Sequence, residues 1–265
     1  MESRGSRYAL AAWAAAVVFF LWFPLVLICL YAFNSSNIQS WPIAGFTLHW
    51  FDVACHDAEA RSALWLSLEA ALLATGVALV LGTMAAFAVS RFRFFGRNAV
   101  SFIVVLPIAL PGVITGIALA SFFSFGAIPF SLWTIVVGHA TFCIVVVYNN
   151  VAARLRRTQT SLTEASMDLG ADGWQTFRYV TFPVVSTALI GGALLAFALS
   201  FDEVIVTTFT AGAQNTLPLW IFGNIRLGQQ LPEVNAVVFV IIAATVLPVT
   251  IAQRLTSDTG ILRRT

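Results

Sequence analysis

Four ionisable side chains interrupt otherwise apolar runs of this chain: Glu69, His139, Asp202 and Glu203. Each costs about 3 kcal/mol or more in hydrocarbon unless it faces a cavity or a partner, so each is a candidate for chemistry. Asp202 and Glu203 lie about 27 Å along the helix expected to start at Val184, toward the outer side of a membrane. Adjacent helical residues point about 100° apart, so one carboxylate faces a pathway while the other meets a neighbouring helix. Two carboxylates beside aromatic residues suit a cationic solute, through ion pairing and cation–π contact. The bland alternative is that they mark the water-facing end of the span. His139 either packs internally, hydrogen-bonded, or lines a pore, and internal packing is favoured. Trp220 and Phe222 suit an interface anchor or a pathway lining, with anchoring the default. Glu69 reaches the interface.

Other chemistry is excluded by residue type. All fourteen basic residues are arginine. Without lysine the chain has no phosphate-binding P-loop of its own and no Schiff-base nucleophile. Cys29, Cys55 and Cys143 form neither a disulfide framework nor a metal-ligand spacing. His49, Asp52, His56, Asp57 and Glu59 cluster in sequence but match no ligand motif, so Asn34 to Ser62 reads as a solvated loop. No nucleophile–base pair falls in the apolar spans, no cofactor is expected, and the net charge of +2 gives no reason to expect nucleic acid.

The elements that must hold these residues are membrane spans. Hydrophobic residues make up 59% of the 265, charged residues 10%, and mean hydropathy is +0.89. That composition predicts an all-α polytopic membrane protein. Six spans are expected, each able to cross about 30 Å of hydrocarbon: about Leu10–Phe33, Leu64–Ser90, Ala99–Phe125, Ser131–Ala153, Val184–Thr210 and Val234–Gln253. The first is too long, with no small-residue site behind it, for a cleaved signal peptide. Pro107 and Pro111 should bend or unwind the third span and free carbonyls. Gly112, Gly116, Gly191 and Gly192 should let helices approach closely. Ala211 to Glu233 should hold a short helix or re-entrant stretch. Arginines at 4, 7, 91, 93, 97, 154, 156, 157, 178, 254, 263 and 264 fall on one side of this arrangement, and Arg61 and Arg226 on the other. The bias places both termini, and the long loop between spans four and five, in the cytoplasm.

That loop carries Glu164 to Pro183, EASMDLGADGWQTFRYVTFP. Ser161 and Glu164 have capping-box spacing, predicting a short helix from Ser161 to Leu169. Gly170 is placed to end it in a left-handed turn. Asp172 and Gln175 repeat the capping pattern for a second short helix, which Pro183 stops. Two brief helices meeting at a glycine make an elbow, too polar for lipid and suited to docking on a soluble partner.

The elbow resembles the EAA loop of ABC importer permeases, whose pattern is Glu-Ala-Ala, three residues, Gly, nine residues, Ile-x-Leu-Pro. Here it reads Glu164-Ala165-Ser166, Gly170, then Val180-Thr181-Phe182-Pro183, with the spacing kept. Gly138 to Cys143, Leu199 to Thr207, Thr216 to Leu219 and Pro232 to Ala236 look like the second permease of spermidine/putrescine-type importers. The resemblance runs from about Leu64 to Arg254. It implies a type I importer permease fold in one domain over 1–265: an N-terminal helix (10–33), core helices (64–253) and a coupling loop (154–183). It implies Glu164, Ala165, Ser166, Gly170, Ala171 and Pro183 as ATPase-coupling positions, and a substrate pathway near Asp202, Glu203, His139 and Trp220. It further implies a sister permease, two ATP-binding cassette ATPase subunits that bind the ATP, an extracytoplasmic substrate-binding protein, and a bacterial inner-membrane location. A polyamine-like cargo follows from the same resemblance. The alternatives are the same assembly with another small solute, or an ion-coupled secondary transporter acting alone.

Overall fold

The structure, a computed structural model, describes residues 4–261, with side chains described for 5–246. Arg263 and Arg264 lie outside the described residues, and the side chains of Arg4 and Arg254 outside the described side chains. The described chain is helical, and its one β feature is an isolated antiparallel bridge between Asn34 and Phe46. In order come α1 (Arg4–Ala32), α2 (His49–His56), α3 (Ala58–Arg91), α4 (Arg97–Ala109), α5 (Gly112–Phe125) and α6 (Leu132–Arg157). Then follow α7 (Thr160–Asp168), α8 (Gly173–Thr176), a π-turn (Phe177–Thr181), α9 (Phe182–Phe201), α10 (Ile205–Thr210), α11 (Leu217–Leu227) and α12 (Leu231–Ile261). These fall into two compact units, one from Ser62 to Trp220 and one from the described parts of 1–61 and 221–265.

Among the described residues four helices are long and apolar enough to cross a bilayer: Gly5–Ala32, Ala58–Arg91, Leu132–Arg157 and the stretch Gly173–Phe201. A fifth crossing arises if α4 and α5 count as one broken span. The expected third span is thus not a bent rod: α4 and α5 meet at 106°. Pro107 and Pro111 donate no N–H, and the chain leaves helical geometry at Leu110, whose ψ is 140°. The expected sixth span runs within α12, whose apolar part among the described side chains is Leu231–Val246. The stretch read as a solvated loop contains a helix, α2, and a pinned turn: the Trp50 indole N–H donates to the Asn34 carbonyl at 2.7 Å.

In the unit from Ser62 to Trp220, α6 is the central helix: 67% of its apolar window is buried, against 33% for α3 and 22% for Gly173–Phe201. The core joins Ala78, Ala86 and Val89 of α3, Cys143, Val147, Tyr148 and Val151 of α6, and Val185 and Ala196 of α9. Small residues dominate its α3 face, as helix contacts in lipid require when van der Waals packing must replace hydrophobic drive. Gly82 lies against backbone, and a Cβ there would stand 2.8 Å from the Ile144 carbonyl of α6. Three of the four glycines singled out by sequence also face neighbours. A Cβ at Gly112 would meet Ile205 at 3.4 Å, one at Gly116 Phe209 at 2.5 Å, and one at Gly192 the Val147 backbone at 3.4 Å. Gly191 faces open space.

Candidate functional site

The elbow forms from local signals, though not all of the expected ones. α7 starts at Thr160 after Gln159 and has no side-chain cap. The Ser161–Glu164 capping box does not form: Ser161 already lies inside the first turn, two residues beyond the cap position at Gln159. The end of α7 is the predicted one. Gly170 sits at φ +86°, its N–H donates to Met167 O at 2.9 Å, and the Ala171 N–H donates to Ser166 O at 3.1 Å. That pair of bonds is a complete Schellman closure around a residue without Cβ. The second capping box also forms: Gln175 N–H donates to Asp172 Oδ1 at 2.8 Å, and Asp172 N–H donates to Gln175 Oε1 at 2.9 Å.

Pro183 does not stop the second helix. It stands in the first turn of α9, and the chain is helical from α8 onward. The missing proline N–H leaves the Tyr179 carbonyl without its usual helical donor, and the ladder widens upstream into the π-turn, with Phe182 N–H reaching Phe177 O. The elbow's second limb is therefore continuous with a membrane-spanning helix.

Four hydrogen bonds missed by sequence reasoning brace this elbow. The Ser166 and Thr176 hydroxyls pair at 3.0 Å across it. Arg91, at the end of α3, donates through Nη2 to Thr163 at 3.3 Å and to Thr181 at 3.2 Å, one on each limb. Arg154 Nε donates to the Val184 carbonyl at 2.8 Å. These arginines entered the sequence reading only as markers of orientation; their partners lie 90 and 30 residues away. Among the polar groups that the elbow exposes stand several large apolar ones. Leu169 is 90% exposed and Tyr179 71%, with Trp174, Met167 and Leu162 also exposed. Glu164 and Ala165 are exposed beside them, and Ala171 is half-buried.

The second cluster lies where α9 ends. Asp202 terminates the helix, and α10 restarts after Val204. Asp202 is exposed, and among the described residues nothing pairs with its carboxylate. Glu203 is half-buried, and its Oε1 accepts the Val206 N–H at 2.9 Å, capping α10. The two acids therefore differ in kind: one free, one engaged in restarting a helix.

His139 is buried at 1% exposure and bridges the break. Its Nδ1 lies 2.7 Å from Ser200 Oγ at the end of α9, and its Nε2 lies 2.8 Å from Thr207 Oγ1 in α10. The Thr207 hydroxyl donates to the Glu203 carbonyl at 2.6 Å. A hydroxyl has one proton, so Thr207 must accept from the ring. The ring then carries its proton on Nε2, and Nδ1 accepts from Ser200. One donor chain, Ser200 to His139 to Thr207 to the Glu203 carbonyl, closes with every member matched.

The two helix interruptions adjoin. Gly112, first residue after the α4–α5 break, packs on Ile205, first residue after the α9–α10 break, and Gly116 packs on Phe209 one turn further. Irregular backbone at membrane depth is tolerated where it lines a cavity or is buried in protein. Trp220 is not part of this exposed edge: it is buried at 3% exposure, which does not suit an interface anchor, whereas Phe222 is 52% exposed.

In the unit formed by the described parts of 1–61 and 221–265, Glu233 precedes the apolar run of α12 and is buried at 3% exposure. Its Oε1 has no partner among the described residues.

Residues 78–257 match the sequence profile of the family described as binding-protein-dependent transport system inner membrane component. The chain is 37% identical over 234 residues to the putrescine transport system permease protein PotI of Escherichia coli (strain K12), covering 85% of this chain and 82% of that one. It is 29% identical over 245 residues to the spermidine/putrescine transport system permease protein PotC of the same strain, covering 92% of each. Among solved structures, a chain of a bacterial ABC transporter that imports the acidic polysaccharide alginate superposes with a TM-score of 0.73 over 96% of this chain and 98% of that one. At 16% identity that likeness shows the fold.

Proposed function

Because the chain belongs to the binding-protein-dependent transport system inner membrane components, we propose that it is the permease that carries a polyamine-like cation through an ATP-driven importer, worked from outside by its elbow. The family makes it an ABC importer permease, a transport component rather than an enzyme, within a complex with other subunits. The finer composition proposed here is a sister permease, two ATPase subunits and an extracytoplasmic binding protein. Both termini and the elbow lie on the ATPase side, in keeping with the arginine bias.

One observation carries the coupling: a Schellman-closed bend that presents Leu169, Trp174 and Tyr179 outward while its second limb runs without interruption into α9. Exposed apolar groups on a polar loop mark a docking surface. ATP draws the ATPase pair together, the seated elbow moves, and α9 moves with it. Binding of the loaded receptor and of ATP must favour the outward-open state over the resting one for this to drive uptake. The cation preference is supported by the free Asp202 carboxylate beside the two adjoining helix breaks, and by the relatives PotI and PotC.

The test is uptake of labelled putrescine and spermidine by cells expressing the whole operon, wild type against Glu164→Arg. Uptake should fall to background in the variant while the permease stays in the membrane fraction. Undiminished uptake removes the elbow from the mechanism, and uptake of neither amine by the wild type removes the cargo assignment.

A further inference from the structure

The connection between α3 and α4 reads Arg91-Phe92-Arg93-Phe94-Phe95-Gly96-Arg97, and neither the elbow nor the helix breaks use it beyond Arg91. Only residues 92–96 separate two apolar helices, a reach of about 20 Å at most, so the loop stays close to the bilayer surface. Phe95 is fully exposed at 105%, Phe92 at 66% and Phe94 at 41%. Phe95, bare in water, would forgo about 1.5–3 kcal/mol, and the partly covered Phe92 and Phe94 proportionately less. Between them Arg93, Phe94, Gly96, Arg97 and Asn98 line a recess of about 480 Å³. Among the described residues no carboxylate lies within ion-pair distance of Arg93 or Arg97. The first turn of α4 adds backbone N–H groups, since its cap, Gly96, supplies no side-chain acceptor. Two guanidiniums without a carboxylate partner among the described residues, a type of group that takes a phosphate bidentately, thus sit among exposed rings.

We propose that this recess holds the phosphate of an anionic phospholipid, with Arg93 and Arg97 on the headgroup and the flanking phenylalanines among its chains. A soluble protein partner is disfavoured by the shortness of the loop and by rings at the level of the spans. The proposal needs only that α3 and α4 lie in a bilayer; it is independent of the cargo and of which way the chain faces.

The experiment is native mass spectrometry of the full-length chain, purified in detergent with whatever subunits accompany it, titrated with phosphatidylglycerol or with phosphatidylcholine of the same chains. The wild type should retain phosphatidylglycerol preferentially. Arg93→Gln with Arg97→Gln should weaken that retention on the order of tenfold and leave phosphatidylcholine unchanged. Phe95→Ser should weaken both lipids alike. Arg156→Gln with Arg157→Gln removes the same charge elsewhere and should change little. Equal retention of the two lipids by the wild type overturns the proposal without any variant. So does an equal loss in the control pair, which would mean net charge alone. Displacement of phosphatidylglycerol by millimolar inorganic phosphate, with Phe95→Ser without effect, would make this a free-phosphate site and overturn the lipid assignment. Loss of a co-purifying subunit in the Arg93/Arg97 variant with lipid retention intact would make it a protein contact and overturn it equally.

Discussion

His139 shows how one side chain can hold a discontinuity open. The ring joins the last turn of α9 to the first turn of α10, and its tautomer is fixed by where the Thr207 proton goes. Thr207→Val and Ser200→Ala each leave one buried ring nitrogen without its partner, at a cost of about 1–3 kcal/mol. Each should therefore lower the thermal midpoint, and an unchanged midpoint in both would remove this bridge from the stability of the fold. The neighbouring acids differ. Asp202→Asn should raise the KM for a divalent amine, with membrane levels unchanged. Glu203→Gln keeps an oxygen for the Val206 N–H and should cost under about 1 kcal/mol of stability. Equal transport kinetics in wild type and Asp202→Asn would discard Asp202 as a pathway group.

At the scale of elements, the elbow is a backbone device. Nothing lies within 4 Å of a Cβ at Gly170, so Gly170→Ala should cost only the left-handed strain of about 1 kcal/mol. Gly170→Pro cannot adopt φ +86° and loses the bond to Met167 O. It should abolish ATP-dependent uptake while the protein still inserts, and Gly170→Ala should retain most of it. Membrane fractionation beside uptake separates the two outcomes. Arg91→Gln releases both limbs at once and should lower uptake more than it lowers the thermal midpoint. Sequence foresaw Gly170 and the Asp172–Gln175 cap because such signals are local, complete within three or four residues. It missed the Arg91 brace because nothing short-range marks an arginine for a threonine 72 or 90 positions on. The capping box at Ser161 failed for a local reason: the helix is capped at Gln159, two residues before its best capping side chain. Pro183 was misread because a proline opens a helix as readily as it ends one, and only the π-turn upstream decides which.

At the scale of the whole chain, composition alone implied a membrane protein without fuel-handling chemistry, and the absence of lysine made the fuel someone else's. The number of crossings was less legible. Hydropathy counts residues, and α4 with α5 carry enough of them for a span while turning through 106°. The same blindness hid the meeting of the two helix breaks, since Gly112 and Ile205 are far apart in sequence and unremarkable in type. Reconstituted alone, the chain should move no solute, with ATP or with an ion gradient. Transport by the isolated chain would end the reading of an externally powered permease. Addition of the ATPase pair, sister permease and loaded receptor should restore uptake that depends on ATP.

The packing of Gly112 on Ile205 and of Gly116 on Phe209 has a mechanical meaning. α5 and α10 are keyed together without room for even a methyl group at Gly116, so they form a single leaf hung on two pins, one at Leu110–Pro111 and the other at Asp202–Val204. A turn at one pin would have to carry the other, so stiffening one, as proline at Val204 would, should hold both: a door so hung would be shut or ajar along its whole edge.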